Sequence, residues 1–178
     1  MGVSWHEAAA VTVVLSQSVG LEPCYSCSIG AGETYCVTLS QPYWCPGYRL
    51  PTEAEWERAA RADLPTIYAG GDDASLVAWT DDNAEGVAHP AAQLEPNVWG
   101  GYDFSGNAWE WCNDLWEEMP DADDLVDPTG PIMSDFRVVR GGGYDAAADA
   151  ARAANREPMD PAVAGASVGL RLVRTLDP

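Results

Sequence analysis

Lysine is absent from this sequence, histidine occurs only twice, and all nine basic residues are arginine. Against 28 acidic residues they leave a formal charge of −19 at pH 7. A field of this sign repels nucleic-acid phosphates and anionic lipid headgroups, so we expect neither as a partner. The same field favours solubility and attracts divalent cations. A salt-adapted or GC-rich genome would also produce such an acidic surface.

Long apolar runs are missing as well, since none approaches the roughly 20 residues of a membrane helix. No secretory leader is recognisable at Met1–Val3. We therefore expect no membrane insertion. The 178 residues are 47% hydrophobic, which is enough for one domain with a packed core. The 17 Gly and 13 Pro predict many short elements joined by long turns, and not a helical bundle.

Four of the five cysteines lie close together, at Cys24, Cys27, Cys36 and Cys45, whereas Cys112 stands apart. Such a group forms either two disulfides or one zinc site. A zinc site usually shows two close pairs, and here only Cys24 and Cys27 form one. We favour disulfides, which indicate an extracellular, envelope or periplasmic location. The pairing stays open, because four cysteines allow three arrangements.

The first predicted helix is Val3–Val19. Ser4 is placed as its N-cap, and Glu7 completes a capping box three residues later. Apolar residues recur at helical spacing along this segment, at Ala8, Val11, Leu15 and Val19. This spacing predicts one apolar face for the helix.

The second predicted helix is Pro51–Arg61, with Thr52 as N-cap and Glu55 in the capping box. The residues expected to face inward are Trp56, Ala59 and Ala60. Strands are predicted at Phe136–Arg140 and Val168–Arg174. The segments 21–47, 62–96 and 116–135 are predicted loops, so the pattern indicates an α+β domain with little regular structure.

Six motifs follow one another along nearly the whole chain in the order found in one known family. They are VSWHEA at Val3–Ala8, GYRLPTEAEWERAAR at Gly47–Arg61, WGGYDFSGNAWEW at Trp99–Trp111, DPTGP at Asp127–Pro131, RVVRGGGY at Arg137–Tyr144 and GLRLVR at Gly169–Arg174. The sequence therefore resembles the formylglycine-generating-enzyme family, also called the sulfatase-modifying-factor family. The resemblance implies a C-type-lectin-like α+β fold with two helices, a small antiparallel sheet and much irregular loop. We expect one domain over residues 1–178, without the strands that usually precede the VSW motif.

The resemblance also implies a structural calcium ion. By position, Asp103 and Glu110 would supply side-chain oxygens, and Gly106 and Ala108 would supply carbonyls, a donor set that suits calcium. The alternative is that these carboxylates only accept nearby backbone N–H groups. Asn83 is the candidate for a second calcium site known in the family.

Enzymes of the family use two cysteines, which hold copper(I), after a GGSY motif. The matching stretch here, Asp145–Ala151, reads DAAADAA, and no cysteine follows Cys112. Copper is therefore not expected, because thiolates are its ligands. His6 and His89 form no pair at metal-ligand spacing, so a non-haem iron site is not supported either. We therefore favour a non-catalytic function. The alternative hypothesis is a formylglycine-generating-type oxidoreductase or an accessory protein-modifying domain.

The favoured interpretation is a non-catalytic module that binds a protein or small molecule through its late loops, residues 144–167. The residues expected on this surface are Trp109, Tyr144, Asp145, Ala146, Ala147, Ala148, Asp149, Arg152 and Asn155. Trp109 is also a candidate core residue, together with Trp99 and Trp111. Arg152 and Arg156 could instead be internal ion-pair partners, and this alternative to a place on the binding surface stays open.

Some family members are variable proteins of diversity-generating retroelements, in which adenines of Asn codons near the C-terminus are randomised. The stretches Asp145–Ala151 and Ala162–Ser167 contain only residues that AAC or AAT codons reach by changes of adenine. The hypothesis is that these loops are diversified. An alanine-rich, GC-rich genome would give the same composition, and uniform third codon bases would distinguish the two.

Overall fold

The computed structural model describes residues 1–30, 32–39, 41–119 and 126–176. Its helices are α1 (Trp5–Ser18), α2 (Glu53–Arg61) and α3 (Ala74–Val77). Its strands are β1 (Tyr25–Gly30), β2 (Glu33–Thr38), β3 (Tyr48–Arg49), β4 (Ala78–Trp79), β5 (Ser105–Gly106), β6 (Trp109–Leu115), β7 (Arg137–Arg140), β8 (Arg156–Met159), β9 (Val168–Gly169) and β10 (Val173–Arg174). The α+β class with long irregular connections is confirmed. The short α3 and β4 interrupt the predicted loop 62–96, and part of the predicted loop 116–135 lies outside the described residues.

Helix α1 begins as predicted but buries a different face. The Ser4 hydroxyl accepts the Glu7 N–H, and the Glu7 carboxylate accepts the Ser4 N–H at 2.8 Å. The buried side chains are those of Trp5, Ala8, Ala9, Thr12 and Ser16. The predicted apolar face is therefore wrong beyond Ala8, since Val11 and Val19 are 48% and 55% exposed. Small side chains face the core here, and the Ser16 hydroxyl accepts the Tyr48 N–H at 2.8 Å.

Helix α2 is confirmed in its cap and in its buried face. The Thr52 hydroxyl accepts the Glu55 N–H at 3.2 Å, and the Glu55 carboxylate accepts the Thr52 N–H at 2.8 Å. Trp56 and Ala60 are buried, and Ala59 packs partly buried against the same cluster. Local sequence signals alone suffice for such a helix, because the cap and the buried side chains lie within three turns.

The main sheet has the strand order β8–β7–β6–β9. Strands β6, β7 and β8 are antiparallel, as predicted, while β9 joins β6 in parallel. The terminal strand predicted at Val168–Arg174 is divided, because β10 leaves this sheet and pairs with β3. None of the helices in the described part of the chain has the length and apolarity needed to cross a bilayer.

The cysteine-bearing segment is a disulfide-bonded hairpin, where the sequence predicted a loop. Strands β1 and β2 pair in antiparallel register, with Cys27 opposite Cys36. The two disulfides are Cys24–Cys45 and Cys27–Cys36, which confirms disulfides over zinc. The inner bridge ties the hairpin strands together, and the outer one ties the hairpin base to the chain before β3.

Three aromatic side chains organise the core. Trp5 and Trp111 are fully buried in the cluster between α1 and the main sheet. Trp56 forms a second cluster with Phe104 on the side of α2. Trp99, predicted as a core residue, is 54% exposed, because the turn that carries it lies at the surface.

Candidate binding surface

The late loop begins at a glycine turn directly after β7. Gly141 and Gly142 have φ of 94° and 80°, in the region that favours glycine. A Cβ on Gly142 would lie 2.9 Å from the Ala151 nitrogen. The chain therefore returns under its own 3-10 turn at Ala148–Ala151, and this tight fold presents the intervening residues to solvent.

Main-chain hydrogen bonds fix the conformation of this loop. Ala146 N–H donates to the Gly143 carbonyl at 3.0 Å, and Ala150 N–H donates to the Ala147 carbonyl at 2.9 Å. The loop is joined to a neighbouring loop where Asp81 N–H donates to the Ala146 carbonyl at 3.0 Å. The backbone is thus held by its own hydrogen bonds, and of residues 145–148 Ala148 also packs its side chain against the buried cluster of Tyr68, Val77, Ala78 and Ala151.

The structure brings the predicted surface residues together. The exposed ones are Asp145, Ala147, Asp149 and Arg152, and the half-buried ones are Trp109, Tyr144, Ala146, Ala148 and Asn155. Trp109 joins them through its backbone, since its N–H donates to the Ser167 carbonyl at 2.9 Å. Its side chain also packs partly buried against the main core cluster. The packing of Trp109 against the core agrees with its interpretation as a core residue, and its place on the binding surface stays a prediction.

Two arginines of the late region have different environments. Arg156 is an internal partner, because its guanidinium donates to both carboxylate oxygens of Glu53. These hydrogen bonds raise the pKa of Arg156. Arg152 is half exposed and lies 3.9 Å from the Asp149 carboxylate. Arg152 thus remains available on the surface, whereas Arg156 anchors β8 to α2.

A second loop flanks this surface, and the sequence did not single it out. The rings of Trp79 and His89 stack with centroids 3.7 Å apart. Asn107 clamps the His89 backbone, accepting its N–H at 2.9 Å and donating to its carbonyl at 3.1 Å. Asp81 and Asp82 are exposed beside the stack. No periodicity marks this loop, so only the three-dimensional contact with the late loop reveals it.

The second late stretch, residues 160–168, forms the other side of the surface. Ala162, Val163, Ala164 and Ala166 are exposed, whereas Ser167 is buried. The start of the chain supports the stretch, because Trp5 N–H donates to the Pro161 carbonyl at 3.1 Å and Gly2 N–H donates to the Val168 carbonyl at 2.8 Å. This stretch too is held by its backbone.

Glu110, a predicted calcium ligand, is bonded to protein groups at both oxygens. Arg171 donates from Nε at 2.9 Å and from Nη2 at 2.8 Å, and Trp56 Nε1 donates at 2.7 Å. The carboxylate is therefore neutralised by a guanidinium within a largely buried site. In this arrangement Glu110 does not fit a calcium ion, because the cation would meet the positive charge of Arg171.

Three of the other residues implied in calcium binding, Asp103, Gly106 and Asn83, also form hydrogen bonds within the protein. Asp103 accepts the Ala92 N–H at 2.8 Å, and the Gly106 carbonyl accepts the Ala108 N–H at 2.8 Å. Asn83 bonds the backbone of its own turn. Within the described ranges no three acidic, His or Cys side chains come together as a possible metal site. Calcium stays a prediction that rests on the resemblance alone.

Cys112 is the one cysteine with a free thiol, because the other four cysteines form disulfides. Cys112 is fully buried, and burial, together with the charges of Asp114 and Glu53, raises the pKa of its thiol. A buried, protonated thiol is a poor nucleophile and a poor metal ligand. His6 and His89 lie in separate places, against the hairpin and beside Trp79.

The comparison with known families decides the assignment. The model of the sulfatase-modifying factor enzyme 1-like domain matches residues 1–176. This chain belongs to that family. The loops described above are thus carried on the scaffold of the family, which confirms the resemblance of the motifs.

Two curated proteins, both named as enzymes, are similar to this chain. The chain is 31% identical over 165 residues to the serine/threonine-protein kinase pkn1 of Chlamydia pneumoniae, covering 88% of this chain and 26% of that protein. It is 34% identical over 150 residues to the formylglycine-generating enzyme of Streptomyces coelicolor, covering 74% and 48%. The chain thus spans about a quarter and about half of the length of these curated relatives.

Among solved structures, the Treponema denticola variable protein 1 has the same fold with a TM-score of 0.86. The two chains are 30% identical, and the alignment covers 96% of this chain and 69% of the other. The chain is therefore similar both to proteins named as enzymes and to a protein named as variable.

Proposed function

We propose that this chain is a non-catalytic binding module, in which the loops of residues 144–167 contact a protein or small-molecule ligand. The single observation that carries the proposal is how the late loop is held. Its backbone bonds to itself and to the Asp81 loop, and apart from the 3.9 Å contact of Asp149 with Arg152 its exposed side chains form no ion pair. Such a loop supplies variable contacts on a fixed scaffold.

Burial along the loop separates the positions that can vary from those that cannot. Ala151 and Ala153 are 1% and 0% exposed and pack beneath the loop. Asp145, Ala147 and Asp149 are exposed. A larger side chain at the exposed positions meets solvent, whereas one at the buried positions meets the core.

The chemistry of the chain supports binding over catalysis. The one free thiol is buried, and the late loop carries no cysteine. The alternative, an oxidoreductase of the formylglycine-generating type, would need a reactive group other than a pair of thiols. The two disulfides support an oxidising environment, and we place the protein outside the cell or in the envelope.

We further propose that the late loops are diversified by a retroelement. The stretches Asp145–Ala151 and Ala162–Ser167, which are reachable from Asn codons, are exposed or half-buried except at Ala151 and Ser167. The likeness to a structure named as a variable protein supports the idea. The coding DNA tests it: we expect the codons of these positions to share one third base, either C or T. Mixed third bases would exclude diversification and leave the binding proposal intact.

Tolerance of the loop is tested by replacing its three exposed residues, Asp145, Ala147 and Asp149, together with Tyr, Ser and Asn. We expect the unfolding midpoint to change by a few degrees at most, roughly as for other surface changes. The matched control is Ala151→Tyr, which should lower the midpoint sharply because it overfills a buried position. Equal losses in both variants would show that the loop side chains are structural.

Binding itself is tested with a displayed library randomised at positions 145–149 and 162–166. Lysozyme is a suitable probe, because its positive charge complements the acidic chain that carries the randomised loops. We expect enriched binders whose affinity is lost when the loops revert to the present sequence. A well-folded library that yields none, or aldehyde formation on a cysteine peptide by the copper(I)-treated protein, would favour the enzyme alternative.

A further inference from the structure

Helix α1 exposes an apolar stripe that no part of the described chain covers. Val11 and Val14 are 48% and 65% exposed, and Leu15 is half-buried between them and the core. The stripe borders strand β2 of the hairpin. Together they enclose an open groove of about 460 Å³, lined by Glu7, Ala10, Val11, Val14, Leu15, Ser18 and Thr34.

The groove has the length of a short helix. Its lining along α1 runs from Glu7 to Ser18, which corresponds to about 16 Å, or three helical turns. The lining residues recur three and four positions apart, so they form the ridge against which a second helix packs. An apolar groove of this kind binds the apolar face of an amphipathic helix.

The charge around the groove selects the occupant. The sequence from Met1 to Tyr48 contains Glu7, Glu22 and Glu33 but no Lys or Arg. Glu7 lines the groove, and Glu33 is exposed directly before Thr34 on β2. A second copy of this chain would bring the same acidic edge and a further charge of −19. The complementary partner is therefore apolar on one face and basic along its edges.

We propose that the groove between α1 and β2 binds an amphipathic helix of a partner polypeptide, with Lys or Arg flanking its apolar face. This site goes beyond the proposed function, since its residues are not those of the late loops. Val11 and Val14 are the anchoring contacts, and Glu7 faces the basic edge of the partner.

The probe is a labelled peptide of about 14 residues, made of Leu and Lys, with Leu on one helical face. A scrambled peptide of the same composition is the control for general attraction to an acidic protein. Fluorescence anisotropy with the whole chain should show that only the amphipathic peptide binds tightly. Val14→Glu should weaken its binding by roughly tenfold or more, although the new charge increases the general attraction.

Val98→Glu is the matched control, because Val98 is 66% exposed outside both the groove and the late loops and receives the same charge. It should leave peptide binding unchanged, and the result is independent of the proposed late-loop function. Circular dichroism confirms that both variants fold. Equal binding of both peptides, or equal binding by both variants, would overturn the proposal. A homodimer of the unmodified chain that Val14→Glu dissociates would also overturn it, by making a second copy the occupant.

Discussion

At the scale of single residues, Asp114 carries an electrostatic penalty within the fold. It is 3% exposed, its carboxylate accepts the Glu53 N–H at 2.8 Å, and burial raises its pKa from 3.8 to about 7. Between these pH values the folded state binds more protons than the unfolded state. The contribution of Asp114 to the free energy of unfolding should therefore fall as pH rises from about 4 to about 7, by at most about 1.4 kcal/mol per pH unit.

Asp114→Asn tests this pH dependence, since the amide oxygen can still accept the Glu53 N–H. We expect the variant to be more stable than the parent at pH 8 and nearly equal to it at pH 4, measured by urea unfolding. Asp145→Asn is the control, because Asp145 is exposed. A parent and an Asp114→Asn variant with parallel pH profiles would show that Asp114 titrates normally in the folded protein.

Arg171 is the second residue with a testable role, because it bonds Glu110, one of the residues implied as calcium ligands. Arg171→Met should destabilise the fold by about 3 kcal/mol or more, since Glu110 loses its partner in a largely buried site. Thermal unfolding with millimolar calcium and with EDTA measures both effects. We expect the parent to unfold at the same temperature in both solutions. A calcium-dependent rise that Glu110→Gln removes would restore the calcium site implied by the resemblance.

At the scale of elements, the sequence predicts those features that depend only on residues close together in the chain. Both capping boxes lie within four consecutive residues, and both are present. The buried face of α1 was mispredicted. Thr12 and Ser16 can face the core because their hydroxyls donate hydrogen bonds to backbone carbonyls of the same helix. The hairpin and the Asp81 loop were missed, since disulfide pairing and loop contacts join residues distant in sequence. The position of the late loops in the fold follows from the family motifs on either side of them, and their role in binding stays a proposal.

The two disulfides should differ in their contribution to stability. The outer bridge, Cys24–Cys45, closes 21 residues, and the inner one, Cys27–Cys36, closes nine. Loop-closure entropy alone makes the outer bridge worth about 0.7 kcal/mol more. Both outer cysteines are also buried, at 2% and 3% exposure. Replacing each pair by serine and measuring urea unfolding should show the larger loss for the outer bridge. A larger loss for the inner bridge would mean that the hairpin itself supports the core through His6, which accepts the Cys36 N–H.

At the scale of the whole molecule, the charge of −19 should oppose folding, and salt should relieve it. The strongest attractive pairs are partly protected from salt, because Arg140 is fully buried where it bonds Glu53 and Glu57. The repulsion is mainly between exposed carboxylates, which salt screens over about 10 Å at 0.1 M. We therefore expect the free energy of unfolding in urea to rise with NaCl. An equal rise with sucrose would assign the effect to preferential exclusion, and a fall would show that the ion pairs outweigh the repulsion.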